Sequence, residues 1–229
     1  MGNDVKTRRG LNTERVVDGA LEVADADGIE SLSLRRLAVS LAVTPMAIYR
    51  HVRNKSHLLD LMAERLLEQV DIAADGTIPW QERLRRLFGS YLAVADAHPA
   101  APFLLSRPFT SAREPQVTEA LFGAFHDAGF DARQSGLVMQ VISGMVLGPA
   151  LHRAAWAAAM REVATAGPQD SSTDSPSAQD FPHSSAVAPF LDWSASPEAD
   201  RLTLDLLISG LEALAYPTTS RSGMEGRRP

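Results

Sequence analysis

Helical periodicity of the apolar residues is the feature that most constrains the fold of this chain. Apolar side chains recur at intervals of three and four, and no stretch shows sustained strand-type alternation. Val16, Ala20, Val23 and Ala24, for example, form one inward face of a helix. Because 45% of the 229 residues are hydrophobic, the chain can bury one large core or two modest ones. The pattern predicts an all-α protein.

Start and stop signals divide the first part of the chain into four helices. The start signals are Asn12, Ser33, Thr44 followed by Pro45, and Asn54 or Ser56, and the first stop signal is Gly28. Ser, Thr and Asn accept hydrogen bonds from the first backbone N–H groups of a helix, and Pro is tolerated in its first turn. Glycine readily takes the left-handed conformation that ends a helix. The second, third and fourth helices are expected to end near Leu41, His51 and Val70.

Four longer helices are expected in the rest of the chain, at 80–97, 117–127, 134–163 and 201–216. The segment 167–197 contains five prolines and little periodicity, so it is predicted to be a mobile loop. The predicted organisation is an N-terminal arm and helix-turn-helix domain over 1–57, a helical regulatory and dimerisation domain over 58–216, and a frayed tail over 217–229.

The basic residues are segregated along an acidic chain. The formal net charge is -6, which excludes a protein that coats nucleic acid through uniform positive charge. Between Glu30 and Asp60, however, there are five basic residues and no acidic one. The remaining 17 basic and 28 acidic residues leave the rest of the molecule negative. This segregation indicates a local DNA-binding patch, and the alternative is a solvated face.

The helix pattern favours the DNA-binding interpretation. Only Ala42 and Val43 separate the second helix from the third, which is the short connection of a helix-turn-helix. Ile48 and Val52 lie four residues apart and can pack against Leu37, Ala38 and Leu41. The residues left exposed or partly exposed are Thr44, Pro45, Met46, Tyr49, Arg50 and His51. Such apolar and cationic side chains can contact thymine methyl groups, base edges and phosphates.

The run from Leu11, LxxxRVVDGALEVADADGIESLSLRRLAVSLAVTPMAIYRHVRNKSHLLDLMAERLLEQV, resembles the DNA-binding domain of TetR-family transcriptional regulators. Within that family it is most similar to the tetracycline-repressor branch. The most specific parts are LSLRRLA in the second helix, Ile48-Tyr49-x-His51-Val52 in the third, and Asn54-Lys55 at the start of the fourth.

The resemblance implies roles for the matching positions. Arg35 would reach a base edge, commonly guanine, or a phosphate. Thr44, Pro45, Met46 and Ala47 would face bases, while Tyr49, His51 and Lys55 would hold the phosphate backbone. Two alternatives remain: Tyr49 could lie at the rim of the core, and Arg36, Arg50 or Arg53 could be solvated. The tetracycline repressor has Gln at the position of Pro45 and Pro at that of Met46, so its operator is not expected here.

Three stretches of the C-terminal part also resemble the regulatory domain of that branch: LFGAFHDAGF from Leu121, VLGPALHRA from Val146 and DLLISGLEAL from Asp205. The resemblance implies a dimer in which two helices of each subunit form a four-helix bundle, with a small-molecule cavity inside each subunit. An apolar stripe wide enough for such a bundle contains Leu204, Leu207, Ile208, Leu211, Leu214 and Ala215. The alternative is that this stripe belongs to an intramolecular core.

Candidate ligand-binding residues occur at helical spacing in the same part of the chain: Phe103, Leu121, Phe125, Val138, Ile142, Met145, His152 and Trp156. The alternative is that they are ordinary core residues. The resemblance places Phe103 and His152 where the tetracycline repressor has its two ligands for the drug's metal. Because neither ligand is retained, tetracycline with its metal is not expected as an effector, and no metal or cofactor is expected.

Other functional classes have little support in the sequence. There is no Cys and no GxSxG, P-loop, HExxH or GxGxxG motif, so an enzyme is not expected. Lys6, Arg8 and Arg9 precede an amphipathic stretch rather than a signal peptide, and the nearly apolar run 137–151 is shorter than the roughly 20 residues of a membrane span. We therefore expect a cytoplasmic protein without membrane association, and a buried core helix at 137–151.

The combined expectation is a homodimeric repressor that a small apolar or amphipathic effector releases from a palindromic operator. One alternative is a DNA-binding regulator without a small-molecule effector. The other, from a different class, is an α-helical enzyme or scaffold with an incidental basic patch.

Overall fold

The computed structural model describes residues 11–73, 76–166, 181–191 and 196–215, and within these ranges it contains helices and no strand. The helices are α1 (Thr13–Asp27), α2 (Leu34–Ser40), α3 (Pro45–Tyr49), α4 (Lys55–Leu67), α5 (Trp80–Ala97), α6 (Ala101–Ser106), α7 (Glu114–Asp127), α8 (Ala132–Ala166), α9 (Pro182–Val187) and α10 (Pro197–Ala215). The prediction of an all-α protein is confirmed.

The predicted capping residues begin the first four helices. The side chains of Asn12, Ser33, Thr44 and Asn54 each accept a hydrogen bond from the backbone N–H three residues later. Gly28 ends α1 with a φ of 85°, in the region where a Cβ atom would cause strain. The local start and stop signals are therefore confirmed.

The first four helices share one hydrophobic core. Val16, Leu37, Ile48 and Leu58 are fully buried in it, and α1 packs against both α2 and α4. Helix α4 also contacts α6 and α7. The predicted domain boundary after residue 57 therefore falls inside α4, a helix that packs against both halves of the molecule.

Gly19 sets how closely α1 can approach the end of α2. A Cβ atom at this position would lie 2.7 Å from Cδ2 of Leu41, so a larger residue would require the Leu41 side chain to move. This contact holds the short α2–α3 unit against the long α1 helix.

Helix α5 is at the centre of the C-terminal half, where it packs against α7, α8 and α10. Arg153 of α8 joins this assembly by ion pairs to Asp96 of α5, at 2.8 Å, and to Asp200 of α10, at 3.1 Å. A mostly buried guanidinium that bonds two carboxylates holds the three helices in register.

The structure corrects several predicted boundaries. Helix α6 was not predicted, α7 begins at Glu114 rather than Val117, and α4 ends at Leu67 rather than Val70. The predicted mobile loop at 167–197 contains α9, whose first residue is Pro182, because proline is accommodated in a first helical turn. Within that loop, 167–180 and 192–195 lie outside the described residues, as do residues 1–10 of the N-terminal arm and the predicted tail at 217–229.

Helix α8 is much longer than the apolar run that suggested it. Its residues Ala132–Thr165 are long and apolar enough to pass a length-and-composition test for a membrane span, with an 18-residue window of mean hydropathy 1.3. Core helices of soluble proteins pass the same test. Ile142 and Val146 are buried in the chain's own core, but Val141 is 70% exposed, so the prediction of a buried core helix holds for one face only.

Candidate nucleic-acid interface and ligand cavity

The connection between α2 and α3 is a tight turn. Ala42 has a φ of 53°, and the backbone N–H of Val43 donates to the carbonyl of Ala38 at 2.9 Å. The hydroxyl of Thr44 then accepts from the N–H of Ala47 at 3.3 Å, and Pro45 occupies the first turn of α3. This local geometry is that of a helix-turn-helix.

One side of α3 faces the core and the other faces solvent. Ile48 and Val52 are buried with Leu37 and Ala38, as the spacing predicts. The predicted DNA-binding residues lie on the opposite side. Arg35, Thr44, Pro45, Met46, Tyr49, Arg50 and Lys55 are exposed, and Ala47 and His51 are partly exposed.

The exposed apolar side chains are the most informative part of this surface. Met46 is 68% exposed and Tyr49 is 53% exposed, although both are large enough to gain from burial. Tyr49 therefore does not lie in the core, which was the alternative for this residue. An exposed Met and Tyr between cationic residues fit a groove in which they are covered by a ligand.

The basic residues of this region differ in whether they have an acidic partner. Arg36 forms an ion pair with Asp27 at 2.6 Å, whereas no described carboxylate pairs with Arg35, Arg50 or Arg53. Lys55 donates to the backbone carbonyl of Ile29 at 3.5 Å. The cations without a carboxylate partner can be neutralised by phosphates.

His51 has a more structural environment than its predicted phosphate contact suggests. Its Nδ1 lies 3.3 Å from the hydroxyl of Thr13 at the start of α1. This contact connects the end of α3 to α1 and leaves the other ring nitrogen for a phosphate.

A cavity of about 320 Å³ lies between α4, α5, α6, α7 and α8, and we call it the central cavity. It is lined by Leu67, Leu87, Phe88, Tyr91, Leu105, Ser106, Phe109, Glu114, Val117, Thr118, Leu121, Met139, Ile142, Ser143, Val146 and Leu147. Its size and mainly apolar lining suit a small organic ligand.

The structure places only part of the predicted ligand set at this cavity. Leu121 and Ile142 line it, whereas Val138 and Met145 line a groove on another side of α8. Phe125 is fully buried against the ring of Phe130, with the ring centroids 6.2 Å apart. Helical spacing shows that these residues recur on the faces of helices. It does not show which of those faces borders the cavity.

Phe103, His152 and Trp156 are exposed and line neither the central cavity nor the groove on α8. Phe103 lies on α6, and the other two lie on the C-terminal half of α8, whose residues 155–165 are exposed. Among the described residues there is no group of three or more His, Cys, Asp or Glu side chains that could hold a metal ion.

Most polar side chains of the central cavity bond within their own helix. Thr118 donates to Glu114 at 2.8 Å, and Ser143 donates to the carbonyl of Met139 at 2.6 Å. Burial raises the pKa of the Tyr91 phenol, so its hydroxyl stays protonated and can donate to a ligand. Neither Tyr91 nor Glu114 was predicted to bind a ligand, because the spacing of two polar residues so far apart in the chain does not indicate a shared cavity.

A second apolar depression, of about 370 Å³, lies between α8 and α10, and we call it the α8–α10 groove. Its lining contains Phe130, Gln134, Leu137, Val138, Val141, Ile142, Met145, Leu206, Leu207, Gly210, Leu211 and Leu214. Four of these residues are between 49% and 70% exposed: Leu137, Val141, Leu206 and Leu214. The groove is an uncovered apolar surface between α8 and α10, and α10 carries the apolar stripe predicted to form the dimer.

The predicted dimer stripe is divided between the core and this groove. Ile208 is 1% exposed and is buried inside the chain, and Leu207 and Leu211 are also buried. Leu204 packs near Gly89, where a Cβ atom would lie 3.7 Å from the leucine side chain. Within one chain these positions are covered because α10 packs against α5, although Leu207 and Leu211 also line the groove. Of the predicted residues, only Leu214 is strongly exposed.

Polar contacts connect α4 to the segment between α6 and α7. Arg107 forms an ion pair with Asp60 at 2.5 Å, and Arg113 donates to the carbonyls of Leu67 and Val70 at 3.4 and 3.1 Å. Since Leu67 also lines the central cavity, the end of α4 borders both the cavity and this polar network.

A second connection runs from α1 to the end of α5. The carboxylate of Asp25 lies 2.8 Å from Nδ1 of His98 and accepts from the backbone N–H of Ala100 at 3.0 Å. Arg161, near the end of α8, donates to the carbonyl of Ala26 at 3.0 Å. The helix-turn-helix unit is therefore joined to the C-terminal half through both α1 and α4.

Two family models match the chain. Residues 16–62 match the model described as bacterial regulatory proteins, tetR family, and residues 73–215 match the one described as tetracyclin repressor-like, C-terminal domain. The first match ends within α4, and the second contains the whole lining of the α8–α10 groove and that of the central cavity apart from Leu67.

Among curated proteins, the chain is similar to the HTH-type transcriptional repressor DrrR1 of Streptomyces coeruleorubidus, with 33% identity over 61% of this chain and 53% of that protein. The chain thus spans about half the length of this relative. It is also similar to the tetracycline repressor protein class E of Escherichia coli, with 32% identity over 63% of this chain and 70% of the repressor.

Among solved structures, the fold is similar to that of a possible TetR family transcriptional regulator from Streptomyces coelicolor A3(2). The TM-score is 0.70 with 25% identity, over 89% of this chain and 100% of the other. It is also similar to ActR from Streptomyces coelicolor in complex with actinorhodin, with a TM-score of 0.67 and 25% identity, over 90% and 97% of the two chains.

Proposed function

Because the chain belongs to the tetR family of bacterial regulatory proteins, we propose that it is a homodimeric transcriptional repressor controlled by a small molecule. In this proposal, α2 and α3 bind a palindromic operator, and a small apolar or amphipathic effector enters the central cavity and releases the DNA. The family consists of transcriptional regulators rather than enzymes, and we place the protein in the cytoplasm, where its operator would be.

The observation that carries the DNA-binding part is the exposed surface of α3. Met46 and Tyr49 project from a segment with five cations and no acidic residue. In this position α3 can enter the major groove with Thr44, Pro45, Met46 and Ala47 towards the bases. Arg35, Tyr49, Arg50, His51 and Lys55 would then contact the flanking phosphates, or in the case of Arg35 a base edge.

The dimer part is supported by the α8–α10 groove. It exposes Leu137, Val141, Leu206 and Leu214, and a second copy related by a two-fold axis would cover the same residues on both chains. Such a dimer can bind two half-sites in successive major grooves, about 34 to 36 Å apart. In this proposal the exposed groove residues form the principal interface, Leu207 and Leu211 lie at the floor of the groove, and Ile208 remains in the core of each chain.

The effector part is supported by the central cavity and by the similar structure of ActR, which holds actinorhodin. The cavity of this chain has room for a small organic molecule and touches α4 through Leu67. Its lining differs from the predicted ligand set, so Tyr91, Phe109, Glu114, Leu121 and Ile142 are the residues that we propose contact the effector.

The coupling between the two sites would pass through α4. An effector can shift the equilibrium only if it binds the arrangement that is incompetent for DNA more tightly, and such couplings are typically about 1 to 3 kcal/mol. Filling the central cavity would displace the end of α4 together with its contacts to Arg107 and Arg113. The two recognition helices would then no longer match the repeat of the groove.

A titration with labelled DNA from upstream of the protein's own gene tests the proposal. A palindromic footprint is expected. Compounds that bind the protein, and so raise the midpoint of its thermal unfolding, should release this DNA. Linkage requires the operator to weaken effector binding by the same factor. Specific DNA binding with equal effector affinity in both conditions would favour a regulator without an effector, and a protein with no specific DNA site would favour the enzyme or scaffold alternative.

A further inference from the structure

Glu114 is the one acidic or basic side chain among the described residues that line the central cavity. It lies in the first turn of α7, in a lining otherwise formed by apolar residues, hydroxyl groups and the Tyr91 phenol. We propose that the ligand of this cavity is an apolar compound that carries a protonated amine, and that Glu114 is its counter-charge. This inference rests on the proposed effector function and specifies the class of effector.

No described cation neutralises the Glu114 carboxylate. Its only described side-chain contact is the hydrogen bond that it accepts from Thr118. The adjacent Arg113 is directed elsewhere, because its guanidinium bonds Gln116 at 2.8 Å and the carbonyls of Leu67 and Val70. The carboxylate is exposed and can therefore accept a cation without breaking an existing ion pair.

The other groups of the lining favour a cation over an anion. The hydroxyl of Ser106 donates to the carbonyl of Phe103 at 3.2 Å, and Ser143 is bonded in the same way within α8. An anionic ligand would find no basic side chain in the lining and would be repelled by Glu114. The rings of Phe88, Tyr91 and Phe109 line the same cavity and offer faces that attract an ammonium group.

The charge of the surrounding domain acts in the same direction. Residues 73–215 contain nine basic and sixteen acidic residues, so this part of the chain attracts cations from solution. The long-range field and the single charge of the lining therefore select the same ligand class.

Three naphthalene compounds of matched size test the proposal: naphthylethylamine, naphthylethanol and naphthylacetate. Their binding to the full chain is measured by calorimetry at neutral pH and moderate salt. We expect the amine to bind about tenfold more tightly than the alcohol, and the carboxylate to bind more weakly than the alcohol. Glu114→Gln should remove most of the amine's advantage over the alcohol, leaving the smaller contribution of the aromatic rings, and should leave the affinity for the alcohol unchanged.

Two further variants locate the effect. Glu119→Gln removes an exposed carboxylate from the same helix without touching the lining and should leave all three affinities unchanged. Leu147→Trp replaces a partly buried leucine of the lining with the larger indole side chain. It should weaken the binding of all three compounds.

The outcomes distinguish this inference from the proposed function. Equal affinities of the wild-type protein for the amine and the alcohol, or an amine preference that Glu114→Gln leaves undiminished, would overturn the role of Glu114 while leaving the cavity as an effector site. Failure of all three compounds to bind, or binding that Leu147→Trp does not alter, would overturn the central cavity as the effector site as well.

Discussion

The carboxylate of Glu64 on α4 accepts a hydrogen bond from the hydroxyl of Ser111, in the segment that leads into α7. The Ser111 hydroxyl also accepts from the backbone N–H groups of Arg113 and Glu114, at 3.0 and 2.9 Å. The first turn of α7, which presents Glu114 to the central cavity, is thus connected through one serine to the helix that leads from the DNA-binding unit. A shift at the cavity can therefore reach α4 through hydrogen bonds as well as through Leu67.

Glu64→Ala should uncouple the two sites without abolishing either one. The variant removes the acceptor for Ser111 and for the N–H of Arg113 but touches neither α3 nor the cavity lining. We expect the factor by which an inducing compound weakens operator binding to fall by about fivefold, or about 1 kcal/mol of a coupling that is typically about 1 to 3 kcal/mol. Fluorescence anisotropy with labelled operator, with and without the compound, measures this factor.

Glu68→Gln is the matched control, because Glu68 follows one turn later and its one ion pair among the described residues is with Arg65, at 3.2 Å. It should leave the coupling unchanged. If Glu64→Ala retained the full wild-type coupling, the contact with Ser111 would have no part in induction.

Two adjacent arginines should differ in their effects on DNA binding. Arg35 has no described carboxylate partner, whereas Arg36 pairs with Asp27. Arg35→Ala should weaken operator binding and relax the preference at one base pair by about 1 to 3 kcal/mol if its contact is bidentate. Arg36→Ala should have a smaller effect, since its charge is already partnered. Binding to a set of operators with single base changes separates the two, and equal losses would contradict the assignment of Arg35.

Lys55→Ala tests the phosphate contacts. Loss of one phosphate contact should weaken binding to all sequences alike and flatten the slope of log K against log salt by about 1. Tyr49→Phe should also weaken binding without changing sequence preference if its hydroxyl bonds a phosphate. Titrations at several salt concentrations measure both effects, and an unchanged salt slope for Lys55→Ala would place that side chain away from the DNA backbone.

The two sides of α10 should respond differently to a charge. Leu206→Asp introduces the charge into the exposed α8–α10 groove, so it should dissociate the dimer and leave the monomer folded. Ile208→Asp buries an unpaired charge in the chain's own core and should destabilise the fold by about 3 to 5 kcal/mol. Analytical ultracentrifugation and thermal unfolding distinguish the two results.

Val39→Asp serves as the control for this pair, because Val39 is 80% exposed on α2, away from the groove. This variant should remain dimeric and should unfold at the same temperature as the wild-type protein. A Leu206→Asp protein that remained dimeric would show that the α8–α10 groove is not covered by a second copy.

The Asp96 side chain is only partly buried, so its charge should make the fold only slightly less stable at neutral pH than an uncharged side chain would. Burial raises the pKa of Asp96, although the nearby Arg153 opposes this shift. Because the folded pKa lies above the unfolded value of about 3.9, the folded state is favoured at low pH and loses this advantage as pH rises through the folded pKa.

Asp96→Asn should therefore raise the thermal midpoint at pH 7, and the difference from wild type should shrink below about pH 4. Asp205→Asn removes an exposed carboxylate from α10 and is the control. A lower midpoint for Asp96→Asn at pH 7 would mean that the ion pair with Arg153 outweighs the cost of burial.

Local signals in the sequence were sufficient where a helix end depends on its own residues. The caps at Asn12, Ser33, Thr44 and Asn54 require only a side chain and the backbone three positions later, and all four occur in the structure. The same holds for the exposed side of α3, because the burial of Ile48 and Val52 determines which residues face outwards.

The sequence by itself determined the all-α class, the starts of the first four helices and the residues available for DNA binding, since short-range hydrogen bonds and helical periodicity specify them. Tertiary structure alone decided which apolar residues form the core, the central cavity and the α8–α10 groove. Ile208 and Leu214 belong to one periodic stripe, yet α5 covers the first and leaves the second exposed. Periodicity defines the faces of a helix, but only the neighbouring helices decide which face is buried and which surrounds a cavity.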